Sequence, residues 1–390
     1  MRARRASHLT GLGPPWHAAR APFTAPYAGQ MDPHEPGTFA IVGDGYRAGL
    51  IARIVARLDG RLTLTGIATR RPERVSSLED EHGVRVWTDV VALAAECDAD
   101  FVFVAVQGDK APGIVAQLVA AGRSVMVETP PAPDVAGLIA LDRLVREGAV
   151  IQVAEQYHLE PLVAAQLSVG ASGLIGDVLQ ADVAIAHEYH GISVLRRALG
   201  TGFDPVTIRA MQATAPVMWG PDRAGDPVED RLATSTRSLA WFDWDGRLGV
   251  YDFDDQQYRS WIRTPRLQLR GSHGELRDTT VRRQVDHRTP VRSEIVRLDA
   301  GAAGSHEGMY LRGYQLDGRW LDHNELAPAR IADDEIGIAR VLLGMLAHVR
   351  GGAAIYDLAD AAQDHYLGLL LREAVATGQP ARSERMPWAR

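Results

Sequence analysis

Cysteine, lysine and long apolar runs are nearly missing from this chain. One cysteine, Cys97, in 390 residues leaves no partner for an intramolecular disulfide and fits a reducing, cytoplasmic setting. Lys110 is the only lysine, so arginine is the default cation here and carries little message by its identity alone. No apolar run approaches the ~18 residues that a membrane span needs. With 42 basic and 49 acidic residues, the formal charge of −7 offers no electrostatic footprint for nucleic acid. Met1 to Gln30 hold no acidic residue and no continuous apolar segment, which argues against a secretory signal. Residues 1–36 read as a disordered extension, with Met31 as the start.

What is present is enough apolar residue, 46%, for two packed cores. From Phe39 to Val153, short apolar strands alternate with helical stretches. Phe39–Val42, Leu62–Ala68, Val84–Trp87, Phe101–Val106, Ser124–Val127 and Val150–Val153 are the strands. Leu50, Ile51, Ile54, Val55 and Leu58 repeat at helical spacing, and Pro72 opens a second, polar helix. Strand and helix in strict succession predict a parallel sheet, because only a crossover returns the chain to the same edge. The expected fold is therefore α/β, with a Rossmann unit over 37–156. Residues 157–390 change rhythm. Asp245-Gly246 and Asp317-Gly318 predict hairpin turns within a large, open, mostly antiparallel sheet. Asp333 is expected to cap one helix, and a second runs from about Leu358 to Ala376 after the Gly351-Gly352 break.

Gly43-Asp-Gly45-Tyr46-Arg47-Ala48 matches the dinucleotide fingerprint between a strand and a helix. The first glycine allows the tight turn, the second lets backbone approach a pyrophosphate, and Ala48 lets the helix pack closely. An NAD-preferring chain usually offers Asp or Glu about 20 residues on. Here the second strand ends in Thr69-Arg70-Arg71, which suits a 2′-phosphate and favours NADP over NAD. Val106 and Gln107, at the carboxyl end of the fourth strand, border the same crevice. Lys110, in the following loop, is a candidate catalytic cation.

The order of these motifs resembles the Gfo/Idh/MocA oxidoreductases, the family of glucose–fructose oxidoreductase and inositol dehydrogenase. The carriers are Val42–Gly49, Ala120–Pro130, Glu155–Pro161, Gly173–Asp177, His190 through Gly200, Asp333–Ile336, Tyr356–Asp364 and Trp388. The resemblance implies a substrate site on one face of the C-terminal sheet and a homo-oligomer contact on the other. It places Glu128, Thr129 and Pro130 beside the cofactor, where the family carries Glu-Lys-Pro. It also aligns Ala186 and His190 with an Asp-x-x-x-His pair, so the family lysine and aspartate are both absent. His190 remains the natural acid–base group, and Tyr157 and His158 are expected to face the same cleft. The implied activity is NAD(P)-dependent interconversion of a hydroxyl and a ketone on a sugar, cyclitol or similar small polar molecule, with no metal. Loss of the two family groups keeps two alternatives open: a nucleotide-binding sensor or scaffold, and a lyase or glycoside-cleaving enzyme with tightly held cofactor.

Overall fold

The computed structural model describes residues 35–106, 108–301 and 309–390. The extension expected over residues 1–36 lies almost wholly outside them. The N-terminal part is one sheet of six strands: β1 (Gly37–Val42), β2 (Leu62–Ala68), β3 (Arg85–Trp87), β4 (Phe101–Val104), β5 (Val125–Val127) and β6 (Ile151–Val153). Their order is β3-β2-β1-β4-β5-β6, and every pairing is parallel. This is the doubly wound order whose direction reverses between β1 and β4, where a crevice opens at the strand ends. The crossover helices are α1 (Tyr46–Val55), α2 (Val75–His82), α3 (Val90–Glu96), α4 (Ala111–Ala120) and α5 (Val135–Arg146). Strands β1, β4 and β5 are apolar on both faces and buried throughout or nearly so, as a sheet sandwiched by helices demands. Pro72 opens only a single 3₁₀ turn, Pro72–Arg74, before α2 begins.

The chain then forms α6 (Pro161–Ala171), β7 (Val178–Ala184) and α7 (Glu188–Leu199), and enters a run of strands. These are β8 (Thr207–Met218), β9 (Leu232–Asp243), β10 (Leu248–Asp254), β11 (Arg266–Gly271), β12 (Gly274–Arg277) and β13 (Thr280–Gln284). They continue as β14 (Pro290–Ala300), β15 (Tyr310–Leu316) and β16 (Arg319–His323). After α8 (Asp333–Val349) and α9 (Leu358–Thr377), the short β17 (Ala381–Arg382) returns to the sheet edge. The described strands make one 11-stranded sheet, antiparallel except where β7 runs beside β10. Both Asp-Gly turns fall where the sequence puts them: Asp245, Gly246, Asp317 and Gly318 all have positive φ, as tight hairpin turns require. Asp333, however, is not the cap. Ala332 holds that position, and the Glu335 carboxylate accepts its N–H at 2.9 Å, so Asp333 lies in the first helical turn.

Three contacts anchor the chain after β6, the first of them to the N-terminal sheet. The Gln152 amide on β6 accepts the N–H groups of Ile355 and Tyr356, both at 3.2 Å. Arg340 on α8, only 1% exposed, donates to the Leu159 carbonyl at 2.8 Å and pairs with Asp322 and Glu325. Trp388 is fully buried and its indole N–H donates to Gln363 at 3.0 Å. A buried arginine with this many acceptors is costly to disturb, because removing it strands carboxylates in a low-dielectric interior. Among the described residues, no helix is long and apolar enough to cross a membrane.

Candidate functional site

At the turn after β1, Gly43 has φ +126°, and a Cβ there would meet the Ala105 carbonyl oxygen at 2.5 Å. Glycine is the only residue that fits. A Cβ on Gly45 would meet nothing within 4 Å, so the fold leaves space above this residue at the start of α1. That open cradle against helix N–H groups suits the pyrophosphate of a dinucleotide. It belongs to a groove of about 930 Å³ lined by Gly43, Asp44, Gly45, Thr69, Arg70, Arg71, Val106 and Lys110, among others. Ala48 is buried on the sheet side of α1, and Tyr46 is exposed beneath the Arg223 guanidinium, 4.6 Å from its ring centre.

The strand-end residues are already bonded to one another. Asp44 Oδ2 accepts from the Thr69 hydroxyl at 2.7 Å and from Arg71 Nε at 2.8 Å. Those bonds hold the Asp44 carboxyl below its ordinary value, against the upward push of burial, so it is ionised at neutral pH. Arg70 remains exposed on the groove wall. Arg47 pairs with Glu128 at 2.5 Å and donates to the Gln156 side chain at 3.1 Å, tying the glycine turn to β5 and to the segment after β6.

Where the segment after β6 meets α7, a dense group of rings surrounds His190. Helix α7 begins at Glu188, which adopts φ +39° and receives the Arg372 guanidinium on its carboxylate at 2.9 Å. Gly191 lets the Tyr251 ring of β10 press on this turn, since a Cβ there would lie 2.8 Å from that ring. Tyr251 in turn accepts the Glu188 N–H at 2.7 Å. His190 is thereby aimed at the end of β6, where its Nδ1 is hydrogen-bonded to Glu155 Oε2. The other carboxylate oxygen of Glu155 accepts the Tyr157 N–H at 3.0 Å. The Tyr157 ring packs on His190 at 4.7 Å between centres, and Tyr189 packs at 4.4 Å. His187 meets His190 edge-on and is bonded through Nδ1 to the Tyr258 hydroxyl, which also bonds Tyr157. Burial, with the neighbouring His190 second, brings His187 down to about 4, so it is neutral at pH 7. Burial pushes the Tyr157 and Tyr189 phenols well above their ordinary value, so both keep their protons.

The candidates from sequence divide accordingly. Tyr157 joins His190. His158 does not: it is buried against the Tyr356 ring, 5.6 Å between centres, on the core side of the turn. The cause is local geometry, because Tyr157–Leu159 form a 3₁₀ turn, in which successive side chains point about 120° apart. Lys110 sits at the start of α4 in the dinucleotide groove, among Gly43, Asp44 and Arg70, and makes no contact with His190. Thr129 and Pro130 close β5 through a cis peptide bond, and the hydroxyls of Thr129 and Tyr189 are hydrogen-bonded. Gln107 lies outside the described residues. Sequence reading passed over Asp44, Glu155, His187, Tyr189 and Tyr258 as site residues. His187 and Tyr189 stood in the polar cluster that enters α7 with His190, while Glu155 follows the buried apolar residues Val153 and Ala154.

Residues 38–156 match the model of an oxidoreductase family with an NAD-binding Rossmann fold. No curated protein sequence matches the chain significantly. Solved structures share its fold at low identity. A levoglucosan dehydrogenase in complex with NADH is 15% identical, with a TM-score of 0.64 over 90% of this chain and 100% of its own. An Agrobacterium radiobacter oxidoreductase in complex with NAD+, L-tartaric acid and magnesium is 17% identical, with a TM-score of 0.63 over 89% and 98%. The WlbA dehydrogenase of Bordetella pertussis, bound to NADH and UDP-GlcNAcA, is 15% identical, with a TM-score of 0.59 over 90% and 99%. The doubly wound sheet, the open glycine cradle and the matched segment agree that residues 38–156 are an NAD-binding Rossmann domain of the kind that oxidoreductase family carries.

Proposed function

We propose that the protein is an NAD-dependent oxidoreductase that interconverts a hydroxyl and a carbonyl on a sugar, cyclitol or related polyhydroxylated molecule. Residues 37–156 would hold the nucleotide and residues 157–390 the substrate. A bound nicotinamide supplies hydride exchange; the protein must bind, orient and move the proton on oxygen. His190 is the observation that carries this reading. It is nearly buried, its Nδ1 is committed to Glu155, and its Nε2 has no hydrogen-bond partner among the described residues. A histidine so held can exchange a proton with a substrate hydroxyl. The surrounding rings of Tyr157, Tyr189 and His187 give apolar faces with polar edges, a surface suited to a small ring carrying several hydroxyls.

Thr69, Arg70 and Arg71 first favour NADP, but their bonding shifts the balance to NAD. Thr69 and Arg71 both spend hydrogen bonds on Asp44, leaving Arg70 alone for a 2′-phosphate. Asp44 Oδ1 has no partner among the described residues, so an ionised oxygen remains to accept from a ribose 2′-hydroxyl and to repel a phosphate. On the outer face of the C-terminal sheet, Met211 and Trp241 are about half exposed, and a second copy of this chain is the partner we assign there.

Mass spectrometry of protein purified from cells should find NAD(H) with a bound polyol or its ketone. Titration should then show NAD binding more tightly than NADP. Co-purified NADP, or equal affinity for both, would sink the cofactor assignment.

A further inference from the structure

We propose that Glu155 is the positioning residue of His190, supplying from the end of β6 the carboxylate that is absent at position 186. This rests on His190 being the acid–base group, but its first readout does not.

Glu155 is 1% exposed, directly after the buried Val153 and Ala154. A carboxylate in such a place is retained only where its oxygens are matched by donors. Both are matched. Oε2 faces His190 Nδ1 and Oε1 takes the Tyr157 N–H at 3.0 Å, while the Tyr157 ring packs on the His190 ring. One carboxylate therefore fixes the imidazole at its nitrogen, and the residue it binds through backbone covers the ring's face. Position 186 cannot do this, since Ala186 is fully buried and offers only a methyl group.

The chemical consequence follows from the donor inventory. A carboxylate accepts and does not donate, so the neutral ring carries its proton on Nδ1 and presents a lone pair at Nε2. That lone pair is what a general base needs. Glutamine at 155 has one acceptor oxygen for two donors. Its oxygen can stay on the Tyr157 N–H while its NH₂ turns to His190, and the ring then moves its proton to Nε2. Size is preserved and the base is lost.

The test is nitrogen NMR of ¹⁵N-histidine-labelled protein, with the His190 signals identified by their disappearance in His190→Ala. Wild type should show the Nδ1–H tautomer, and Glu155→Gln should show Nε2–H. With a turned-over substrate, Glu155→Gln should lower kcat by at least about 10²-fold with KM within a few-fold. A wrong tautomer in serine-protease triads costs about 10⁴. A wild-type ring already protonated at Nε2 overturns the proposal without any variant, so misfolding of Glu155→Gln cannot shelter it. So does a folded Glu155→Gln that keeps Nδ1–H and kcat. If the tautomer swaps as expected but wild type oxidises no compound, Glu155 positions His190 as proposed and the oxidoreductase reading fails.

Discussion

At one end of the proposed site, the groups we assign to the nucleotide come from a single turn. Gly43, Asp44, Gly45 and Arg47 are near neighbours in sequence, and Asp44 and Arg47 bond Thr69, Arg71 and Glu128, which follow β2 and β5 of the same sheet. At the other end His190 is held by Glu155, 35 residues before it, and His187 by Tyr258, 71 residues after it. The first end is set by backbone conformation, which a few glycines dictate. The second is set by tertiary packing of α7 on β10 and of the β6 end on α7, which no local pattern encodes. The contrast is between an end that local backbone builds and an end whose polar groups come from elements far apart in sequence.

Four experiments press on that contrast. The largest effect belongs to Gly45→Glu. Nothing lies within 4 Å of its Cβ, so the chain should fold with unchanged melting, yet nucleotide binding should vanish because the cradle is filled. Retained NADH fluorescence enhancement in the variant would contradict the placement. Next, Arg340→Met should lower stability by about 3–5 kcal/mol, because it strands carboxylates that the arginine now satisfies. Burial has already pushed Asp322, one of those partners, up to about 6. Chemical denaturation reads this directly, and a loss under about 1 kcal/mol would mean the anchor of the Leu159 turn lies elsewhere.

A smaller change is expected at the nucleotide end. Asp44→Asn removes the ionised oxygen and frees Arg71, so NADP should gain roughly 10-fold over NAD, the worth of one charge-assisted hydrogen bond. An unchanged ratio would show that Asp44 does not read the ribose.

The last effect concerns pH. Burial, reinforced by Asp334, Glu155 and Asp333, pushes Glu160 up to about 8. The folded chain then holds a proton that the unfolded chain releases near 4.5. Its contribution is complete below pH 4.5 and is lost as pH rises through about 8. Thermal melts of Glu160→Gln between pH 5 and 9 should be flatter than those of wild type, and parallel curves would count against the buried, protonated carboxyl.

Much of this was legible in the sequence. The second strand, Leu62–Ala68, was readable residue by residue, and the fingerprint placed Gly43 and Gly45 because it encodes a conformation and an empty space. Asp-Gly pairs placed two hairpins for the same reason. Glu155 sat unmarked inside a recognised stretch because its role depends on a helix 35 residues on. Tyr157 and His158 could not be told apart by sequence, since a 3₁₀ turn and not residue type sends one to the His190 ring and the other to the core. Asp44 looked like a variable position of the fingerprint. Only its bonds to Thr69 and Arg71 show that it competes for the groups that would bind a phosphate.

The central claim, that His190 moves the proton while the glycine turn holds NAD, is tested most directly by turnover. Wild type and His190→Ala would be compared at saturating NAD across a panel of sugars and cyclitols, following NADH absorbance. The account predicts turnover by wild type, a fall in kcat of roughly 10²–10⁴-fold in the variant, and NAD affinity unchanged within a few-fold. Wild type that binds NAD but reduces none of it on any panel member, or a His190→Ala enzyme as fast as wild type, would contradict it.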